Sequence, residues 1–118
     1  MKFEKADPQI VSLFDDIAPG TERGVEKRKM FGYPCRFLNG NMFMGVHNNN
    51  IFLRLSEKDR TDFVRMGGRA FEPMPGRIMK EYVVVPKGMM KSPGLKDWIE
   101  RSLTYASSIS PKKKQLKK

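Results

Sequence analysis

The chain carries a single cysteine, Cys35, and a single histidine, His47, the two side chains whose pairing could run nucleophilic catalysis. One of each cannot supply a zinc set, and no acidic loop has calcium spacing. The sequence holds no phosphate-binding loop, dinucleotide fingerprint or nucleophile elbow. Asp15 and Asp16 are adjacent carboxylates near the end of a helical stretch, where neighbouring positions diverge, so a solvated surface is expected of them. What remains is basic and aromatic: Arg36, Phe43 and Arg54, with Phe52 nearby. Whether any of these groups meet depends on strand register.

That register can be derived from turn chemistry. Residues 30–55 read as three antiparallel strands joined by two tight turns. Asn39-Gly40 is a strong two-residue hairpin signal, because both central positions of a type I′ turn need positive φ, and Asn48-Asn49 offers a second. Pairing Leu38 with Asn41 sets Phe37 opposite Met42, Arg36 opposite Phe43 and Cys35 opposite Met44. The second turn sets Val46 opposite Ile51, Met44 opposite Leu53, Phe43 opposite Arg54 and Met42 opposite Leu55. One face is then wholly apolar: Cys35, Phe37, Met42, Met44, Val46, Ile51, Leu53 and Leu55. Cys35 and His47 fall on opposite faces, which excludes a dyad. The second face carries Arg36, Phe43 and Arg54 in one cross-strand row, with Phe52 as a further platform.

An aromatic ring between two guanidiniums on an open sheet suits a stacked base with phosphates on either side. The same row suits an interface with a second subunit, or an ordinary solvated face with cation–π contact. All three readings stay open at this point. Two further surfaces are candidates. A stiff Pro73 to Arg77 turn, with Pro75-Gly76 at its centre, would place Arg77 and Lys80 beside the sheet edge. A tail with Lys112, Lys113, Lys114, Lys117 and Lys118 would bind any polyanion without a sequence code, or simply solubilise the chain.

The flanking stretches supply the second layer. Asp7-Pro8 opens a helix whose apolar stripe is Ile10, Leu13, Phe14 and Ile17, ended by Ala18-Pro19-Gly20. Val25 to Met30 forms a further strand ahead of the Phe31-Gly32 kink. Ser56 with Asp59 caps a helix to Met66, burying Phe63, Val64 or Met66, before Gly67-Gly68. A short edge strand at residues 70–72 and a returning strand at 78–85 follow. Ser92-Pro93 starts a last helix with Leu95, Trp98, Ile99 and Tyr105 or Ala106 on its apolar face. The expected fold is α+β, two layers in the order α-β(3)-α-β(2)-α on an antiparallel sheet, as one domain over residues 1–107 with a disordered lysine-rich tail at 108–118.

The net charge of +10 is uneven, since five of the lysines sit in the last eight residues. Residues 1–110 hold 18 Lys plus Arg against 13 Asp plus Glu, a mildly basic body. A lone cysteine with no apolar run near membrane length fits a cytoplasmic protein without cofactor, metal or membrane contact.

These residues resemble a known family. The segments at residues 29–32 (KMFG), 39–43 (NGNMF) and 53–55 (LRL) are similar to the N-terminal domain of the TfoX/Sxy competence regulators. The stretches 71–77 (FEPMPGR) and 81–86 (EYVVVP), and the helix at 95–106, resemble a stand-alone branch of it. Tyr33 and Pro34 depart from the second glycine usual after MFG. The resemblance implies an α+β fold of the secretion-chaperone-like type, and no catalytic residues. Full-length relatives add a helical C-terminal domain, for which these 118 residues leave no room. The expected function is a non-enzymatic regulatory module that binds a protein partner or itself. The alternative is a nucleic-acid-associated accessory protein using the Arg36, Phe43 and Arg54 face with the lysine tail.

Overall fold

The computed structural model describes residues 6–109. Chain order among them is α1 (Pro8–Ile17), β1 (Glu26–Met30), β2 (Tyr33–Leu38), β3 (Asn41–His47), β4 (Asn50–Arg54), α2 (Glu57–Arg65), β5 (Arg69–Met74), β6 (Arg77–Val84) and α3 (Leu95–Ser108). The six strands form one antiparallel sheet in the order β1-β2-β3-β4-β6-β5. The fold is α+β, with four strands rather than three between α1 and α2, because the stretch before Phe31 pairs fully as β1.

Local chemistry sets most boundaries. The Asp7 carboxylate accepts from the Gln9 N–H at 2.8 Å, with Pro8 opening α1. The Ser56 hydroxyl accepts from the Asp59 N–H at 3.3 Å to start α2. Helix α3 begins at Leu95, two residues past Ser92-Pro93, and runs through Ser108, while residues 110–118 of the expected tail lie outside the described residues. Of the three apolar candidates on α2, only Phe63 is buried, while Val64 and Met66 are exposed.

The helices cover one face of the sheet. Phe14 of α1, Phe63 of α2 and Leu95, Trp98, Ile99, Leu103 and Ala106 of α3 close over Phe43, Met44, Val46, Ile51, Leu53 and Leu55. The second face is not open. Phe71 of edge strand β5 stacks on Phe52 of β4, with ring centroids 4.3 Å apart and planes 17° from parallel. Cys35, Met42 and Val84 complete this smaller core, and Met30, Phe37, Met79 and Tyr82 pack around it.

The turn-derived register holds at both turns and fails between them. Leu38 pairs with Asn41 and Phe37 with Met42, but Arg36 then pairs with Met44 and Cys35 with Gly45. Phe43 is an extra residue in β3, a bulge that reverses the parity of β2 beyond it. Cys35, Phe37 and Met42, all expected in the helix-covered layer, lie on the second face, and Phe43 turns under the helices with no exposed surface. Burying that ring is worth about 1.5–3 kcal/mol, enough to outweigh one lost ladder step. The Ser102 hydroxyl of α3 lies 2.7 Å from both the Phe43 and the Arg54 carbonyls, where the β3–β4 ladder has stopped at Met44 and Leu53.

Candidate functional site

The expected row of Arg36, Phe43 and Arg54 is dispersed by that bulge. Phe43 is core. Arg36 is 2 % exposed and lies with its guanidinium 4.8 Å from the centre of the Phe14 ring. It donates to the Pro19 carbonyl at 3.3 Å and the Cys35 carbonyl at 3.4 Å, and pairs with Asp15 at 3.1 Å. This arginine ties the end of α1 to the sheet. Phe52 is fully buried, and Phe71 takes the position over its ring that a base would need. Arg54 stays near the surface but is engaged, reaching Glu81 at 2.6 Å with the Tyr82 ring 5.5 Å away. Burial pushes the Glu81 carboxyl up, but hydrogen bonds from Arg54 and Tyr105 outweigh it and hold the group below the usual carboxylate range. The open basic–aromatic platform is absent.

The bulge also overturns the parity argument about Cys35 and His47. Both lie on the second face, since His47 packs at 5.5 Å against the Phe71 ring of the same small core that holds Cys35. Their chemistry still opposes a dyad. Burial pushes the Cys35 thiol up to about 11, and its Sγ sits 3.4 Å from the Arg28 carbonyl, as a thiol donor would. Desolvation lowers the His47 pKa, and its ring lies between Tyr33 and Phe71. At neutral pH both groups are uncharged. Among the described residues no three His, Cys, Asp or Glu side chains converge as a metal site, and no helix is long and apolar enough to cross a membrane.

Exposed chemistry collects instead at the two sheet edges. On the β5–β6 side, Pro75-Gly76 makes the expected turn, with Gly76 at φ +81° and its N–H bonded to Glu72 at 2.7 Å. Arg77 and Lys80 are both exposed. Lys80 joins Arg60 and Arg65 of α2 around a groove of about 450 Å³ floored by Ala70, Tyr82 and Val83. The five tail lysines, Lys112 to Lys118, lie outside the described residues.

On the other side, β1 pairs only with β2 among the described residues. The two-residue turn at Phe31-Gly32 makes Met30 and Tyr33 the closing hydrogen-bonded pair. Alternation then points the backbone groups of Met30, Arg28 and Glu26 inward and those of Lys27 and Lys29 outward. The Cys35 Sγ near the Arg28 carbonyl agrees with that phase. Side chains alternate as well. Arg28 lies over Phe37, 4.6 Å from its centroid, and Lys27 and Lys29 line a groove of about 600 Å³ between β1 and α1, with Val11, Arg28, Pro34, Arg36 and Asp15 also around it. At the tip, Phe31 is 49 % exposed and sits at φ +56°. A bulky side chain in the left-handed region is a strained choice that persists where something else requires it. This edge was missed from the sequence as a site. Its signal was present: three consecutive basic residues in a strand followed by an X-Gly turn.

Residues 19–106 match the profile of one protein family, the TfoX N-terminal domain. Among curated proteins none matches the chain.

Proposed function

The chain belongs to the TfoX N-terminal domain family, and from that premise we propose that it is a non-enzymatic regulatory module that works by binding another protein through the β1 edge and the Phe31 tip. The family points to a regulatory or interaction domain. The observation that carries the reading to this surface is Phe31, a half-exposed aromatic ring at φ +56° beside a strand edge whose outer backbone pairs with no other described strand. Asparagine takes that φ with less strain, and the chain uses it at Asn39 and Asn48, both at φ +54°. The exposed half of the ring stands at the tip of the hairpin, within reach of a partner.

The nucleic-acid reading loses its stacking platform, because Phe43 and Phe52 are buried. Self-association through the sheet loses its open face to the chain's own Phe71 and Met79. The test places a photo-crosslinking benzophenone side chain at Phe31 in the producing cell. Discrete protein adducts that disappear in Lys27→Pro are expected, since that change removes an outward N–H and leaves the β1–β2 ladder intact. Adducts only to nucleic acid, or none, would overturn the proposal.

A further inference from the structure

We infer that the occupant of the β1 edge is an extended acidic segment of a partner protein, added as a seventh strand with alternate acidic side chains in the groove beside α1. The inference rests on the interaction reading above and names the chemistry of the partner. The backbone argument comes first. Lys27 and Lys29 turn an N–H and a C=O each toward solvent, spaced for another peptide strand and for no other common polymer. A phosphate backbone would use the donors and leave the carbonyls unmatched, since its oxygens only accept.

Charge then selects among peptides. Arg28 is paired with Glu26 at 3.1 Å, and the Asp15 carboxylate in the groove is paired with Arg36 at 3.1 Å. Lys27 and Lys29 carry no ion pair among the described residues and stand on the same face of the strand. A second copy of this edge would set lysine against lysine, which opposes a β1–β1 dimer. Lysines on an edge also serve to keep strands apart. A partner with acidic residues at every second position turns that protection into selection. The intervening partner side chains would lie beside Arg28, Phe37 and Met30, a surface that favours apolar groups.

The measurement uses the full chain and a labelled eight-residue peptide alternating glutamate and valine, with a glutamine–valine peptide and a single-stranded oligonucleotide as the comparisons. Anisotropy gives affinity, and amide exchange by NMR gives the location. The acidic peptide is expected to bind at least about tenfold more tightly than the glutamine version and to slow exchange at the Lys27 and Lys29 amides selectively. Lys27→Glu/Lys29→Glu should reverse the preference toward a lysine–valine peptide, which keeps the test independent of the tail lysines. Perturbation confined to residues 110–118 would overturn the inference, as would equal protection of the same amides by the oligonucleotide. Failure of the peptide alongside surviving protein adducts at Phe31 would refute the acidic strand and leave the module reading standing. Failure of both would remove both.

Discussion

Phe31 offers the sharpest separation of folding from contact. Its φ of +56° matches the +54° of Asn39 and Asn48, so the first turn position of the three hairpins poses one backbone requirement and meets it with phenylalanine once and asparagine twice. Holding a non-glycine residue there costs about 1–2 kcal/mol, and asparagine recovers part of that through local hydrogen bonding. The ring is 49 % exposed, so truncating it forfeits about 1 kcal/mol of burial. Phe31→Ala and Phe31→Asn lose the same ring, and their difference isolates the backbone. Phe31→Asn should be about 1 kcal/mol more stable than Phe31→Ala and close to the parent protein, equivalent to a urea midpoint about 0.5–1 M higher than the alanine variant. Trp98, the one tryptophan and nearly buried, reports the transition by fluorescence. Equal stability of the two variants would refute the strain argument and, with it, the reason for assigning the ring to a partner.

Other expectations follow from the sheet's interior. Ser102→Ala strips the shared hydroxyl from the Phe43 and Arg54 carbonyls and should lower stability by about 1–3 kcal/mol, read by urea denaturation. A change under half a kcal/mol would mean that water replaces it. A Cβ at Gly45 would stand 2.7 Å from Phe52 Cζ and 2.9 Å from Cys35 Cβ, so Gly45→Ala should destabilise by about 1–3 kcal/mol. Adding Phe52→Leu should reduce the effect of Gly45→Ala in a double-mutant cycle. His47 has a folded pKa lowered by burial from 6.5, so its neutral form is the folded one. Stability is full above that value and falls as pH drops below it, by at most about 1.4 kcal/mol per pH unit. His47→Gln should flatten the curve between pH 6.5 and the range where Glu81 and Glu100 begin to titrate. An unchanged curve would refute the assignment.

How far the sequence could be read depended on how local each determinant is. The turns at Asn39-Gly40, Asn48-Asn49 and Pro75-Gly76 and the caps at Asp7 and Ser56 involve residues within a few positions of one another, and all are present. The core lists for Ile51, Leu53, Leu55, Trp98 and Ile99 follow from periodicity and also stand. Strict alternation misplaces Phe43 because it assumes no bulge, and the one sign of a bulge between Asn41 and Val46 is Gly45, a glycine inside the strand. The mistake then spread to Arg36, Cys35 and the whole basic–aromatic row. Phe52 was read as a platform because its cover, Phe71, comes from an edge strand two places away in the sheet. The β1 edge was foreseen as a strand, but its exposure depends on where the sheet ends, which strand order alone decides.

The Phe43 bulge ties the register of the β2–β3 hairpin to the far end of the chain. The Phe43 and Arg54 carbonyls share one hydroxyl, which lies 59 and 48 residues further on. The Asn39-Gly40 turn alone dictates a regular ladder with Arg36 opposite Phe43, and the folded chain departs from it by one residue. Cover from other elements accompanies that departure: Phe43 is buried with side chains of α1 and α3, and Arg36 lies against Phe14 of α1. The pairing of two neighbouring strands is thus specified non-locally, and a change in the last helix can reach a register set about sixty positions earlier.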